Sequence, residues 1–447
     1  MKKNLSSRRK FIKSSLLGLT AISFPNIIKA NSDLEYDIVV VGAGAAGLAA
    51  TEELIKSGKN VLCIESLNRI GGRVVTDNTI FKEPYDLGAL WIENGETNPF
   101  KIYGENNKNF NIYKERTEEM YSVYSGKKRI SNEDALWKIY DGAEAEIAIN
   151  ANKDIAPLDV VPYQDQRWFD TAHMILGPWE MGKDFSNYSC KDYMFDYGIE
   201  EGTLWHCKEG FGTLFNAMLD KVPVSLNTKV SSIDWSGQSV LIETNKGSIK
   251  TKQCILTVST GVLSSGQIKF NPKLDAEKEE SFHKISMGHY NRVAFKFKKL
   301  FKKKAKDNYL YYRINSQNAK SPKGMGITIK PSDTNLCICD PGGDFGKELA
   351  KEGEKPAIDF ALNELTNIYG SKIKKDLVGS HFADWSSNVF IQGAWASAEP
   401  GAFKFREILR EPVAEKIYFA GEATAREWGT VGGATESGVL TAKKIKT

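Results

Sequence analysis

The chain has few residues of the kinds that build metal centres or disulfide frameworks. Its 447 residues include six cysteines and five histidines. The cysteines are scattered, with no CxxC pair and no Cys/His cluster at metal-ligand spacing, and none of the histidines falls in a strong catalytic frame. We therefore expect no metal site, and the spacing assigns no disulfide.

Charge of one sign is not in large excess either. The sequence has 60 basic and 56 acidic residues, a net charge of +4, which is too little for a general nucleic-acid binder. A local exception is the basic run from Lys296 to Lys306. We interpret this run as a solvent-exposed strand end and loop. The alternative is a surface that binds acidic lipid or a redox partner. The length suits two interleaved domains.

A long apolar run is also missing. The best candidate, residues 14–28, is broken by a glycine and a proline and is shorter than the roughly 20 residues of a membrane span, so we expect no transmembrane segment. It follows Arg8 and Arg9 and precedes a cleavage site after Ala30. This pattern predicts a twin-arginine export signal over residues 1–30 and a periplasmic or secreted protein.

What the sequence does contain is a dinucleotide motif. An apolar run over residues 36–41 leads into Gly42, Gly44 and Gly47 and then an Ala/Leu-rich helical stretch. A strand that feeds a glycine turn and a helix N-terminus forms a phosphate cradle. The next strand ends in Glu65, about 20 residues beyond the turn, where an acid holds a ribose hydroxyl. The motif predicts an adenine dinucleotide without a 2′-phosphate, and leaves NAD and FAD open.

The next segment favours FAD. Arg69, Gly71, Gly72 and Arg73 place glycines and a fixed cation just beyond the ribose acid. From here to the C-terminus the chain resembles the flavin-containing amine oxidase family, which includes monoamine oxidases, polyamine oxidases and flavin histone demethylases. The motifs that carry this resemblance run in family order: the glycine turn, Glu65, residues 71–73, 86–93, 210–214 and 227–230, Trp385, and residues 393–395 and 419–424.

The resemblance implies an α/β protein in which a Rossmann-type FAD-binding domain is interleaved with an α+β substrate-binding domain. Short β runs and helical patterns divide the chain accordingly. We assign residues 33–92, 205–289 and 376–447 to the FAD-binding domain, and residues 93–204 and 290–375 to the substrate-binding domain.

The resemblance also implies a set of cofactor contacts. Glu422 would reach the ribityl or pyrophosphate group, the backbone of Val230 would pair with adenine, and the helix after Thr430 would direct its N-terminus at the flavin ring. Monoamine oxidases attach their flavin through a cysteine where this chain has Ala394, so we expect FAD to be bound non-covalently. The remaining predicted contacts are Ala89, Leu90, Trp385, Gly421 and Val431.

At the reacting end, family members often line the substrate position with two aromatic residues. Trp395 occupies one of these positions and Thr430 the other, which resembles polyamine oxidases and histone demethylases more than monoamine oxidases. Trp91 stands where α-amino-acid oxidases carry a carboxylate-binding arginine, which disfavours an α-amino acid substrate. Glu93 occupies a tunnel-wall position and could pair with a distal ammonium. A second acid of plant-like polyamine oxidases falls near Lys183, so a pair of tunnel acids is not predicted.

The main departure from the family is Arg292, at a position where a lysine usually holds a water against flavin N5. Arginine is bulkier and donates as a planar fork. It would keep the water or slow reoxidation by oxygen, so the acceptor is oxygen or a redox partner. The sequence thus predicts an exported FAD-dependent amine oxidase or dehydrogenase acting on a di- or polyamine. Two alternatives stay open: a flavin desaturase of an apolar substrate, and a flavin electron-transfer module without amine turnover.

Overall fold

The structure is a computed structural model that describes residues 35–115, 121–131, 133–197, 204–298, 307–316 and 320–445. The predicted export signal, residues 1–30, lies outside the described residues. None of the helices in the described ranges combines the length and apolar character that a membrane span requires.

The strands in these ranges are, in chain order, β1 Glu35–Val41, β2 Val61–Ile64, β3 Thr76–Asp77, β4 Tyr85–Asp86, β5 Ile112–Lys114, β6 Tyr121–Ser125, β7 Lys128–Arg129, β8 Trp205–Cys207, β9 Val224–Ser225, β10 Val230–Asp234, β11 Val240–Thr244, β12 Gly247–Leu256, β13 Lys269–Asn271, β14 Ile285–Met287, β15 Arg292–Phe297, β16 Asn308–Tyr312, β17 Gly326–Ile329, β18 Leu336–Asp340, β19 Leu377–Ala383, β20 Ala396–Ala398 and β21 Ile417–Phe419.

The α-helices in the same ranges are α1 Ala45–Lys56, α2 Pro99–Glu105, α3 Asp134–Ile149, α4 Phe169–Met174, α5 Cys190–Tyr197, α6 Phe211–Leu219, α7 Thr260–Ser264, α8 Ala276–Lys284, α9 Gly343–Glu352, α10 Glu354–Tyr369, α11 Ile373–Asp376, α12 Phe405–Arg410 and α13 Val431–Lys444. A π-helical segment, Ile175–Trp179, continues α4.

The first sheet has eight strands in the order β13-β10-β11-β12-β1-β2-β9, with β21 also paired to β12. Its centre is parallel: β1 lies between β12 and β2 and runs in the direction of both. The side chains of residues 38–41 are buried, as the unbroken apolar sequence of a central parallel strand requires. This Rossmann-type half confirms the predicted α/β fold class.

α1 and α13 pack together beside this sheet. A Cβ at Gly438 of α13 would lie 2.1 Å from the carbonyl oxygen of Ala46 in α1. Only glycine permits so close a helix crossing. Because α1 and α13 each begin at the cavity described below, this contact fixes the two helix N-termini relative to each other.

The second sheet has seven strands in the order β19-β15-β18-β17-β16-β6-β7, and its pairs are antiparallel except that between β16 and β6. β10–β13 and β21 of the first sheet, and β15–β18 of the second, fall in the segments predicted for their domains. The structure differs from that division at β19. The boundary at residue 376 placed this strand with the FAD-binding segments, but its backbone pairs with β15 at the edge of the second sheet.

Candidate active site

A cavity of about 780 Å³ is lined by segments that follow strands of both sheets. One end is bounded by the turns after β1, β2 and β21, and the other by the π-helical segment, α13 and the residues preceding β15. The volume is in the range of sites that hold cofactors or drug-sized ligands.

The turn after β1 is shaped for a phosphate group. Gly42 has a φ of +107°, a conformation that favours glycine, and a Cβ at Gly47 would lie 1.9 Å from the Gly42 carbonyl oxygen. A Cβ at Gly44 would meet nothing within 4 Å, and Gly44 lines the cavity. No side chain caps α1, which begins at Ala45, so its first N–H groups can bind an anion. The turn fits the pyrophosphate of FAD.

Glu65 closes this turn from the side of β2. One carboxylate oxygen accepts the N–H of Ala43 at 2.7 Å and the other accepts the N–H of Leu67 at 2.8 Å. The residue also lines the cavity. Since each carboxylate oxygen can accept a second hydrogen bond, Glu65 can bind ribose hydroxyls while it holds the turn.

Glu422 joins three segments around the cavity. Its Oε1 accepts a hydrogen bond from Arg73 Nη1 at 3.0 Å, and both of its oxygens lie 3.2 Å from the backbone nitrogen of Ala396, which donates to them. Oε2 also accepts the N–H of Gly429 at 3.3 Å. The side chain is buried. Whatever contact Glu422 makes with FAD, its carboxylate also fixes the chain segments on either side of the cavity.

Thr430 and Val431 mark the start of α13 on the cavity wall. The Thr430 hydroxyl accepts the N–H of Gly433 at 2.9 Å and donates to the carbonyl oxygen of Glu427 at 2.9 Å. It is therefore an N-cap, and its hydroxyl is engaged in the helix terminus. The positive end of the α13 dipole faces the cavity, where it favours negative charge on a reduced flavin.

Most of the predicted cofactor residues line this cavity: Gly42, Gly44, Glu65, Gly72, Arg73, Ala89, Leu90, Trp385, Gly421, Glu422 and Val431. Trp385 is fixed there because its indole N–H donates to the carbonyl oxygen of Leu87 at 2.8 Å. Gly47 and Val230 are not among the lining residues. Gly47 instead allows α1 to pack against the β1 turn, and Val230 is buried in β10, so its pairing with adenine stays a prediction.

The opposite end of the cavity has aromatic walls. Trp395 and Tyr290 lie with their ring centroids 5.0 Å apart, and Trp91, Trp179 and Trp428 complete the apolar lining. The aromatic residue beside Trp395 is thus Tyr290. The sequence analysis did not single out Tyr290, which lies two residues before Arg292. Such walls exclude water from a reacting centre.

Among the carboxylates that line the cavity, Glu93, Glu180 and Glu427 lie within two residues of Trp91, Trp179 and Trp428 along the chain. Glu180 accepts hydrogen bonds from Tyr193 Oη at 3.1 Å and Tyr140 Oη at 3.3 Å. Glu180 is an exposed residue that lines the cavity, yet the atoms packed around its carboxylate desolvate it. Burial and the neighbouring charge of Glu144 raise its pKa to about 7. A cation in the cavity would favour the ionised form.

Sequence reasoning missed Glu180 because an ungapped reading placed the second acid at Lys183. In the structure, Lys183 is buried and donates to Ser286 Oγ at 2.8 Å and to the carbonyl oxygen of Ser397 at 2.7 Å. In the preceding π-helical segment, the N–H of Glu180 bonds the carbonyl oxygen of Ile175 at 3.1 Å. This five-residue step changes the facing of the residues that follow.

Arg292 lines the cavity but is tied into its wall. Nε donates to Asp340 Oδ1 at 2.9 Å, while Nη1 donates to the carbonyl oxygens of Asp86 and Gly88, each at 2.7 Å. Both Nη1 hydrogens are therefore used, and Nη2 lies 3.4 Å from the other oxygen of Asp340. The guanidinium anchors the segment that carries Ala89 to β15 and β18. A water held by Nη1 is incompatible with these bonds.

A phosphate cradle and a ribose acid at one end of a cavity, with a helix dipole and aromatic walls at the other, define a flavin-dependent oxidoreductase. The chain belongs to the family of flavin-containing amine oxidoreductases, whose family model matches residues 45–446. This confirms the resemblance and the FAD cofactor. The protein is an FAD-dependent amine oxidoreductase that acts on a small-molecule amine.

Individual relatives are distant. Polyamine oxidase 2 of Arabidopsis thaliana is 24% identical over 445 residues, which cover 92% of this chain and 88% of that protein. Lysine-specific histone demethylase 1 homolog 2 of Oryza sativa subsp. japonica is 25% identical, over 92% of this chain and 57% of that protein. Among solved structures, wild-type putrescine oxidase bound to putrescine matches with a TM-score of 0.73 at 19% identity, over 92% of this chain and 99% of that one. That likeness concerns the fold.

Proposed function

We propose that the protein is an exported FAD-dependent amine oxidase or dehydrogenase that oxidises a C–N bond of a diamine or polyamine. When held by residues such as Glu65, Arg73 and Glu422, FAD would supply the acceptor for a hydride from the carbon next to a neutral amine nitrogen. Water would hydrolyse the resulting imine to an aldehyde and an amine, and the two electrons would leave to oxygen or to another acceptor.

The observation that carries this proposal is the pair Glu93 and Glu180 in a cavity with aromatic walls. The two acids place negative charge on the cavity wall, and a di- or polyammonium chain supplies the complementary cation. One charged nitrogen would be held by a carboxylate, while the aromatic walls around Trp395 hold the apolar methylenes and keep water from the neutral reacting nitrogen.

The relatives agree with this substrate class. Several of the matched proteins are named polyamine oxidases, and the solved structure with a similar fold is a putrescine oxidase. Lysine-specific histone demethylases also match, so the comparisons favour amines with a second positive charge without choosing between free and peptide-borne ones. A free diamine is favoured here because both acids lie inside the cavity.

The test replaces each acid by its amide. Glu180→Gln and Glu93→Gln should each lower kcat/KM for a diamine far more than for a monoamine of equal chain length. Loss of one charge-assisted contact costs about 1.5–3 kcal/mol, so the selectivity ratio should fall about 10- to 100-fold. The measurement is kcat/KM for both substrates in each variant.

The matched control is Glu52→Gln, which removes the same charge from an exposed i,i+4 ion pair with Lys56 on α1. It should leave the ratio unchanged. If kcat/KM falls equally for the diamine and the monoamine in the two cavity variants, neither acid binds the second nitrogen. The diamine proposal would then be wrong.

Arg292 favours a second proposal, about the electron acceptor. With four of the five guanidinium hydrogens directed at Asp340, Asp86 and Gly88, at most one Nη2 hydrogen is left to hold a water for oxygen chemistry. We infer that the reduced enzyme reacts slowly with oxygen and faster with an artificial or protein acceptor.

Export is proposed on the sequence pattern alone, because residues 1–30 lie outside the described ranges. A twin-arginine pathway suits a flavoprotein, since FAD has to be bound in the cytoplasm and the chain then has to cross the membrane folded.

A further inference from the structure

Behind the aromatic wall, a chain of buried hydrogen bonds starts at Trp91. The indole N–H of Trp91 donates to Tyr309 Oη at 2.9 Å, and Tyr309 Oη donates to Glu115 Oε1 at 2.6 Å. His206 Nε2 lies 2.9 Å from the same carboxylate oxygen. We call Tyr309, Glu115 and His206 the Trp91 brace. Its three members are buried, and none of them lines the cavity.

The far end of the brace is also enclosed. His206 Nε2 lies 4.0 Å from Asp307 Oδ1, and Tyr113 donates to Asp307 Oδ2 at 2.6 Å while its ring stacks on His206 with centroids 5.4 Å apart. Burial by itself lowers the pKa of His206, but the bond to Glu115 and the charges of Asp307 and Glu115 outweigh it, so the pKa is raised. The raised pKa reflects the close contact between His206 and the buried Glu115 side chain.

The backbone beside Trp91 is held by the same part of the molecule. The N–H of Ile92 donates to the carbonyl oxygen of Trp205 at 2.9 Å, and the N–H of Trp205 donates back to Ile92 at 3.0 Å. Trp205 thus pairs with the backbone next to Trp91, and His206, the following residue of β8, belongs to the brace. Trp179, another wall residue, packs edge to face on Tyr309 with centroids 5.3 Å apart.

A buried polar network of this kind is an expensive way to fill space, since apolar side chains of similar volume serve stability as well or better. The bonds from Trp91 through Tyr309 and Glu115 to His206 nevertheless hold these side chains in one arrangement, although His206 Nδ1 has no hydrogen-bond partner among the described residues. Here the arrangement that they fix is the face of Trp91 toward the cavity and, two residues later, the start of the Glu93 side chain.

We propose that Tyr309, Glu115 and His206 are positioning residues that hold Trp91 as the wall against which the amine chain lies, and so set how tightly the pocket fits its substrate. This inference deepens the proposed function and rests on it for the identity of the substrate. The residues act through Trp91 and do not touch the reacting atoms.

The kinetic test uses Tyr309→Phe, which removes the hydroxyl and keeps the ring that Trp179 packs on. KM for the diamine should rise about tenfold, with kcat within twofold and FAD content unchanged. The matched control is Tyr311→Phe. Tyr311 lies on the same strand and makes the same edge-to-face contact with Trp179, at 5.4 Å, but its hydroxyl is not part of the brace.

Two further variants separate positioning from general damage. In a Trp91→Phe background, Tyr309→Phe should have almost no additional effect on KM, because its partner is gone. Glu115→Gln retains an acceptor for the Tyr309 hydroxyl and should preserve most of the wild-type KM, whereas Glu115→Ala should reproduce Tyr309→Phe. Additive effects in the Trp91→Phe background, or a rise in KM for Tyr311→Phe as large as that for Tyr309→Phe, would overturn the proposal.

A second readout needs no amine. With ¹⁵N-labelled tryptophan, the chain gives up to nine indole N–H signals, and the one lost in Trp91→Phe identifies Trp91. That signal should shift in Tyr309→Phe and Glu115→Ala and stay in place in Tyr311→Phe. If the Trp91 signal does not shift in Tyr309→Phe and Glu115→Ala, the proposed role of the brace is wrong, whichever substrate the enzyme oxidises. If no amine reduces the flavin of the wild-type protein, the proposed function is wrong. The indole signal would still test the role of the brace, because that measurement needs no amine.

Discussion

Replacing Arg292 by lysine is the perturbation that best separates the two halves of the catalytic cycle. The guanidinium makes three close hydrogen bonds, to Asp340 and to the carbonyl oxygens of Asp86 and Gly88. A lysine ammonium has three donors on a stem without the planar fork. It can stay paired with Asp340 but cannot reproduce all three bonds, so one donor is released toward the cavity.

The released donor should bind water, and one charge-assisted hydrogen bond of this kind amounts to about 1.5–3 kcal/mol. If it assists the reaction with oxygen to that extent, reoxidation of the reduced flavin should accelerate about 10- to 100-fold in Arg292→Lys. Reduction of the flavin by amine should change by less than about threefold, because the acids that bind the amine are untouched.

Stopped-flow absorbance with sequential mixing measures the two half-reactions separately. Arg410→Lys is the control, since Arg410 also donates to two backbone carbonyl oxygens, those of Thr424 and Ala425, but does not line the cavity. Rapid reoxidation of the wild-type enzyme by air, with no gain in Arg292→Lys, would refute the reasoning and show that oxygen chemistry at this site does not depend on a donor at residue 292.

Three further predictions follow from the site. Acid precipitation should release all FAD, and Glu65→Ala should lower FAD occupancy in the purified protein, because it removes a ribose contact and two backbone hydrogen bonds; flavin that stays with the precipitated chain would contradict non-covalent binding. With Arg8 and Arg9 changed to Lys, the precursor should remain cytoplasmic while binding FAD, and an unchanged exported yield in cell fractionation would remove the export proposal. Because the pKa of Glu180 is about 7, its carboxylate is neutral below that pH and ionised above it; the ratio of kcat/KM for diamine over monoamine should therefore rise with pH through about 7, and Glu180→Gln should abolish the rise.

Much of the flavin half could be predicted from local sequence. The run before Gly42 becomes β1, the stretch after Gly44 becomes α1, and Glu65 follows β2. These elements have unbroken apolar runs or clear periodicity and strong turn residues, which is the information that a single sequence carries most reliably.

What could not be predicted depends on contacts between distant parts of the chain. The sequence of residues 377–383 contains no pattern that predicts the pairing of β19 with β15. Glu180 follows a π-helical segment that no local sequence pattern indicated. Glu115 and His206 are 91 residues apart, and each looks like an ordinary surface or partly buried residue until the fold brings them together.

The central claim is that an amine with a second, charged nitrogen delivers a hydride to the flavin of this protein from the carbon next to its neutral nitrogen. The most direct measurement is anaerobic mixing of the purified holoenzyme with 1,4-diaminobutane, a longer polyamine, and a monoamine of matched length, followed by flavin absorbance. We expect bleaching by the diamine or polyamine at low concentration, and by the monoamine only at concentrations about 10- to 100-fold higher, since it lacks the contact with a cavity carboxylate. A flavin that stays oxidised with every amine would contradict the account.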